Sequence, residues 1–226
     1  MKKNLVFASK KHQTLPFRIG GLVFWSKRLT GEEELLMSET AEAAEEPFEL
    51  LQRQASHLAD LLQNRLQESS GTVDQEWTLK HLGTANTLAL IQFFRTGERP
   101  VDFIGESFDL PEWGDPLVLG EAEEERQFSA RAACFSEQIT MSQNTPEGAD
   151  GQDAETGAMV KAITETAAAW LNARLNSGQG IDAAWLLKQL QIVEIGELLT
   201  YLASGQLPDE TEAADPNAGA AAPISA

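Results

Sequence analysis

The sequence predicts a mainly α-helical protein with one small N-terminal β-hairpin followed by two duplicated three-helix modules, which an insert and a flexible linker join. The strongest indication is an internal repeat. Residues 74–100 and 182–208 align without a gap and share Asp, Trp, Leu, Lys, Leu, Leu, Gly and Pro at equivalent places. Apolar residues also recur at helical spacing in both halves, and a glycine pair near the N-terminus separates two short apolar segments.

Residues 1–30 are predicted to form a basic arm and a β-hairpin. Phe17 and Ile19 alternate with polar neighbours, and Gly20-Gly21 follows as a two-residue turn able to adopt positive φ. No acidic residue precedes Glu32, whereas lysines and arginines are frequent in this region. Two interpretations of the arm stay open: an ordinary solvated surface, or a contact with an acidic partner or with the chain's own acidic face.

Helical module 1 is predicted to span residues 31–100. Thr30 and Glu33 have the spacing of a capping box, so a helix is expected to begin there. A longer apolar stripe over residues 48–67 predicts the next helix. Asp74 then caps a short helix that carries Trp77, and a further helix ends at Gly97.

Helical module 2, residues 158–208, repeats this plan. A long helical stripe is followed by Asp182 as the cap of a short helix that carries Trp185, and the last helix ends at Gly205. Arg65-Leu66 in module 1 corresponds to Arg174-Leu175 in module 2.

Three further regions lie outside the modules. Residues 101–141 form an aromatic and acidic insert, in which an ordered loop is expected first and a helix from Glu121 to about Met141. Residues 142–157 are polar and rich in Gly and acidic side chains, which predicts a flexible linker. Residues 209–226 contain almost no large apolar side chain and are predicted to be a disordered tail.

Composition excludes several classes of function. The net charge of −18 opposes nucleic-acid binding through phosphate neutralisation. The single cysteine, Cys134, excludes internal disulfides, and neither a membrane span nor a secretory signal is predicted, so we expect a cytoplasmic protein. The three histidines lack metal-ligand spacing, and nucleotide-binding or nucleophile motifs do not occur. We therefore expect no enzyme, no metal and no cofactor.

Five aromatic residues are candidate partner-binding residues: Phe103, Phe108, Trp113, Trp77 and Trp185. The first three stand outside any amphipathic pattern, which favours a partner contact, although packing across the two modules explains them equally well. For the two module tryptophans, the favoured interpretation is that each fills the core of its own module.

Short motifs in the chain resemble those of bacteriophage tail assembly chaperones. The family's N-terminal element, with the form FxIGGxxFxxRxLTxxE, is similar to the segment from Phe17 to Glu33. Its Trp-Leu-x-x-x-Leu helical segments are similar to those around Trp77 and Trp185, and acidic C-terminal regions are common in it. The resemblance implies a non-enzymatic protein of the bacterial host cytoplasm that coats the tape measure protein and helps to recruit tail tube subunits.

Two other functions stay open at this point. An acidic DNA mimic that inhibits a nucleic-acid enzyme would need carboxylates along one rigid face, whereas the acidic residues here lie mostly in the linker, the tail and the helix starts. A structural adaptor subunit of an assembled particle would show ordered self-association. A homo-oligomer is compatible with the chaperone interpretation as well.

Overall fold

The computed structural model describes residues 14–42, 47–67, 71–100, 107–121, 124–144 and 153–206. These residues form eight helices and five strands, which confirms the predicted mainly helical fold with a small N-terminal hairpin. None of the helices within the described ranges has both the length and the apolar character needed to cross a bilayer.

The N-terminal hairpin consists of β1 (Pro16–Ile19) and β2 (Leu22–Trp25). The strands are antiparallel, with Phe17 opposite Phe24. Gly20 and Gly21 form the turn at φ values of 52° and 83°, where a side chain would strain the backbone. The predicted hairpin and its turn are therefore confirmed.

Four helices follow the hairpin. The backbone N–H of Glu33 donates to Thr30 Oγ1 at 3.2 Å while the Thr30 N–H donates to the Glu33 carboxylate at 2.8 Å, so the predicted capping box is present. The Trp77 N–H donates to Asp74 at 2.8 Å, and Gly97 ends the last helix in the left-handed conformation. The helices are α1 (Gly31–Glu42), α2 (Pro47–Gln63), α3 (Gln75–His81) and α4 (Thr84–Thr96).

The same sequence of elements occurs a second time. A hairpin is again followed by two longer helices, a short helix capped by Asp182 and a final helix that ends at Gly205. The elements are β3 (Leu117–Leu119), β4 (Arg126–Phe128), α5 (Phe135–Asn144), α6 (Asp153–Asn172), β5 (Leu175–Ser177), α7 (Ala183–Gln189) and α8 (Ile192–Ser204). We call residues 14–100 the first repeat, residues 116–206 the second repeat and residues 107–113 the connector.

The repeat is larger than the three-helix unit that the sequence predicted. The segment Pro-Phe-Arg-Ile-Gly at residues 16–20 reappears as Pro-Leu-Val-Leu-Gly at residues 116–120, and Gly120 also has a positive φ of 88°. The predicted helix from Glu121 to Met141 is wrong, because β4 lies within it and α5 begins only at Phe135. Almost every side chain from Phe128 to Phe135 is buried, whereas a surface helix would bury only one face.

Several predicted regions fall wholly or partly outside the described residues. The predicted linker, residues 142–157, is shorter at both ends, since α5 continues to Asn144 and α6 begins at Asp153. Residues 145–152 between them, the N-terminal residues 1–13, the tail from residue 207 and Phe103 lie outside the described ranges.

Each repeat has its own hydrophobic core. The first core is rich in phenylalanine, with the Phe17 ring 5.5 Å from both Phe24 and Phe93, whereas the second contains Phe128 and Trp170. Phe135 crosses this division, because it belongs to α5 of the second repeat yet is fully buried in the core of the first. Helix α5 accordingly packs on α2 and α3 as well as on α6.

In each repeat, a buried arginine that follows the second helix bonds to the start of the first helix and to the segment after the hairpin. Arg65 donates to both oxygens of Glu33 at 2.7 and 3.0 Å, and Arg174 donates to both oxygens of Glu137 at 2.6 and 2.8 Å. Their Nε atoms donate to equivalent backbone carbonyls, those of Lys27 at 3.2 Å and Arg131 at 2.8 Å. We call these two constellations the arginine clasps.

Candidate functional site

The connector links the two repeats through backbone hydrogen bonds. At one end, the N–H of Phe108 donates to the Arg18 carbonyl at 2.7 Å, beside β1. At the other, the N–H of Ala132 donates to the Pro111 carbonyl at 2.8 Å, and that of Trp113 donates to Ala130 at 3.1 Å. Both ends of the connector are therefore fixed, and its middle passes over α4.

The structure brings two of the predicted partner-binding aromatics to this connector. Phe108 is 5% exposed and meets the Phe17 ring edge-on at 6.4 Å, so it belongs to the first core. Trp113 is half-buried, and its Nε1 donates to the Leu202 carbonyl at 3.2 Å on α8. Its ring also covers Gly205, where an added Cβ would come within 2.6 Å. The two aromatics thus anchor the connector, one in each repeat.

Between the connector and α4 lies a cavity of about 410 Å³, which we call the connector groove. Most of its lining is apolar, with Ala85 and Ala89 on the helix side and Phe108, Leu110 and Trp113 on the connector side. Its volume lies within the usual range for ligand pockets, about 300–1,000 Å³. Residues of α4 separated by one helical turn line its floor, so the groove follows the helix.

Asn86 gives the groove a specific polar group. It is only 4% exposed, and its Oδ1 accepts from the Gly83 N–H at 2.9 Å to complete the cap of α4. Its Nδ2 is buried without a hydrogen-bond partner among the described residues. Since leaving a buried donor unsatisfied costs about 1–3 kcal/mol, a carbonyl oxygen that reached Nδ2 from the groove would gain a favourable contact.

The second repeat does not reproduce this donor. Glu194 stands in the place of Asn86, and its carboxylate accepts from the Gln191 N–H at 2.6 Å. A carboxylate completes the helix cap in the same way but has no N–H₂ group to offer. The spare donor therefore distinguishes the first repeat from the second.

Carboxylates stand at the rim of the groove. Asp109 accepts from the Ser107 hydroxyl at 2.6 Å, and Glu112 accepts from the Ser129 hydroxyl at 2.7 Å. Both carboxylates are exposed, so they are held in place by these hydrogen bonds while still facing solvent. The rim is consequently negative, as is the chain as a whole.

The module tryptophans lie against their own cores. The Trp77 ring is 5.8 Å from Phe24 and 4.7 Å from His81, and Trp185 packs on the second core. Neither residue lines the connector groove. Burial, followed by the neighbouring charge of Lys80, lowers the pKa of His81, whereas Asp109 acts in the opposite direction.

The groove residues contributed by α4 were not identified from the sequence. Ala85, Asn86 and Ala89 belong to a helical pattern that the core alone explains. The available signal was Gly83 followed by Asn86, since an asparagine at the third position of a helix retains a donor after capping.

The other residues considered for a chemical role take part in local structure. The buried Cys134 occupies the capping position that Thr30 has in the first repeat, and its backbone N–H donates to Glu137 at 2.9 Å. Over the described residues, no three His, Cys, Asp or Glu side chains gather in a way that could hold a metal ion.

Comparison of the chain with models of protein families, with curated protein sequences and with solved structures found no match. The groove and its surroundings are therefore the basis for a functional proposal.

Proposed function

We propose that this chain is a non-enzymatic assembly chaperone of the phage tail type, which binds a segment of the tape measure protein in the connector groove. In this function it also helps to recruit tail tube subunits in the bacterial host cytoplasm. The observation that carries the proposal is the apolar groove with one buried, unpaired amide donor. The resemblance of the N-terminal motif, from Phe17 to Glu33, supplies the class of partner.

The lining of the groove suits an amphipathic helical segment. Side chains at i, i+3 and i+4 of such a segment would lie among Ala85, Ala89 and Leu110, as in other helix-in-groove complexes. The Asn86 amide would donate to an unpaired backbone carbonyl near the end of that segment. Asp109 and Glu112 would favour lysine or arginine beside the apolar stripe.

The charge of the chain agrees with this function. A long tape measure helix presents an apolar surface that aggregates when it is uncovered. A chaperone with a net charge of −18 would keep the bound complex in solution through mutual repulsion. The same charge opposes binding to nucleic acid.

The experiment is a tagged co-purification of the full chain from cells that also produce the tape measure and tail tube proteins, followed by mass spectrometry. We expect recovery of the tape measure protein. Ala89→Glu places a carboxylate in the groove and should reduce recovery about tenfold or more, the effect of a hot-spot substitution.

The matched control is Leu88→Glu, which places the same carboxylate on the next residue of α4, where the side chain is 72% exposed. It should leave recovery unchanged, and thermal unfolding should show that both variants are folded. Equal recovery with both variants would remove the groove from the proposal. Recovery of a nuclease, polymerase or repressor without tail proteins would contradict the chaperone function and favour the DNA mimic.

A further inference from the structure

Helix α5 docks on the first repeat in a defined way. The N–H of Phe135 donates to the Leu82 carbonyl at 2.8 Å, and the hydroxyl of Thr84 donates to Gln138 Oε1 at 3.0 Å. At Gly83 the approach is so close that an added Cβ would collide with the Ala133 carbonyl oxygen. Helix α5 thus docks on the junction of α3 and α4 and along α2 of the first repeat.

Helix α5 presents different faces to the two repeats. Glu137 and Met141 face the second repeat, where they join the clasp and the core. Phe135 and Gln138 face the first repeat, and Ile139 lies on the same side by helical spacing and is only 7% exposed. Helix α5 therefore packs against the core of its own repeat and also covers the first repeat.

Helix α1 is the counterpart of α5, but among the described residues no second repeat packs on its outer face. Glu33 and Met37 match Glu137 and Met141 and likewise face their own repeat. Leu35 stands in the place of Ile139 and is 59% exposed. An apolar residue is thus exposed on α1 at the position where α5 has the buried Ile139.

The opposite end of the molecule shows the complementary feature. The α7–α8 junction of the second repeat corresponds to the α3–α4 junction on which α5 docks. Here Ile192 replaces Thr84 and is 49% exposed, while Val193 replaces Ala85 and is 69% exposed. Leu187 on α7 is 46% exposed as well. We call these three residues the α7–α8 face.

We propose that copies of this chain associate head to tail, with α1 of one copy docked on the α7–α8 face of the next. The internal contact between the repeats is the template, since the counterparts of Ile139 on α5 and of Thr84 and Ala85 at the receiving junction are apolar and exposed. Because the two docking surfaces differ, the contact is heterologous and adds copies in one direction. Each added chain would extend the stack by two repeats.

Two exchanges distinguish the proposed contact between chains from the internal contact between repeats. Gly31 replaces the Phe135 ring on the docking helix, and Gln191 replaces Gly83 on the receiving junction. The larger side chain is thus on the receiving junction in the proposed contact and on the docking helix in the internal one. The absence of the buried ring predicts a weaker association than that between repeats.

Charge does not orient the contact, because Glu32 and Glu34 are exposed on the first turn of α1 and Glu194 and Glu197 are exposed on α8 beside the α7–α8 face. The association therefore depends on the apolar residues of the two surfaces, Leu35 on one and Leu187, Ile192 and Val193 on the other.

The test is sedimentation of the purified full chain at increasing concentration. We expect an average mass that rises above the single-chain 24.7 kDa. Leu35→Asp and the double variant Ile192→Asp, Val193→Asp should each raise the dissociation constant about tenfold or more. Leu88→Asp, an exposed position on α4, is the matched control and should associate like the unmodified chain.

Mixing the two disrupted variants distinguishes a heterologous contact from a symmetric one. Each keeps one intact surface, so the mixture should form a two-chain complex and no larger species. A single-chain mass for the unmodified protein at all concentrations would overturn the proposal. So would loss of association in the α8 double variant alone, with Leu35→Asp unaffected, because that result indicates a symmetric dimer through α8.

Discussion

At the scale of single residues, the arginine clasps are buried polar groups held by several hydrogen bonds each. The Arg174 side chain is fully buried and shares both carboxylate oxygens of Glu137, whose side chain is 14% exposed. Its guanidinium also donates to the carbonyls of Trp170 and Ala132 at 2.8 and 3.3 Å. Removing Arg174 would leave the largely buried Glu137 carboxylate with the longer pair to Arg131, at 3.4 Å, and the Cys134 N–H.

Arg174→Ala is therefore expected to lower the free energy of unfolding by about 3–5 kcal/mol, the usual effect of breaking a buried pair. Arg95→Ala is the control, because the Arg95–Glu34 pair is about half exposed on both sides. Its loss should change stability by less than about 1 kcal/mol. Urea denaturation measures the free energy of unfolding of both variants. Equal losses of stability in the two would contradict the role of the clasp.

The clasp carboxylates also make stability depend on pH. Burial alone would raise the pKa of Glu137, but the hydrogen bonds and charge of Arg174, with the Cys134 N–H and Arg131, more than offset this effect and lower the pKa below its ordinary value. Arg65 likewise lowers the pKa of Glu33. A lowered pKa contributes stability above the unfolded value, and this contribution is lost as the pH falls through the folded pKa.

Glu137→Gln isolates this contribution, since glutamine resembles the protonated acid. The variant should be less stable than the unmodified chain at neutral pH. Below about pH 4.3, the ordinary pKa of a glutamic acid, the difference should shrink as Glu137 itself becomes protonated. Urea midpoints at a series of pH values measure the difference, and a gap that stays constant down to pH values near 3 would contradict the lowered pKa.

At the scale of elements, α5 connects the stability of the two repeats. Phe135 is fully buried in the first core although its helix belongs to the second repeat. Phe135→Ala should therefore cost about 3–5 kcal/mol, the range for a buried phenylalanine. Hydrogen exchange should show lost protection in α2, α3 and α4, far away in sequence.

Phe128→Ala is the matched comparison for this prediction. Phe128 is also fully buried but packs in the second core. Its replacement should first reduce protection in α6, α7 and α8. If both variants lowered protection over the whole chain by the same amount, the repeats would unfold as one unit and the separate cores would have no independent stability.

Secondary structure with strong local signals could be predicted from the sequence. The glycine turn of the hairpin, the Thr30 capping box and the aspartate caps at Asp74 and Asp182 depend on short spacings, and the structure confirms each of them. The second hairpin was missed because the two-residue turn of the first is replaced by a longer acidic loop. The extra residues offset the two repeats in sequence at this point, so an alignment without gaps does not detect the second hairpin.

At the scale of the whole molecule, contacts between repeats could not be predicted from local pattern. Phe135 was expected within an insert, and no periodicity indicates that its ring enters the other repeat. The connector groove depends on the path of residues 107–113 over α4, which hydrogen bonds distant in sequence determine. Phe108 and Trp113 were singled out from the sequence, whereas Asn86 and Ala89 were not.

The position of Phe135 has a consequence for synthesis of the chain on the ribosome. All of the first repeat precedes this residue in the sequence, so its hairpin and helices emerge while one part of the core is still missing. At about 5–20 residues per second, the gap lasts a few seconds. During that time the first repeat exposes the apolar site that Phe135 later fills, and its core is completed only when the second repeat begins to appear.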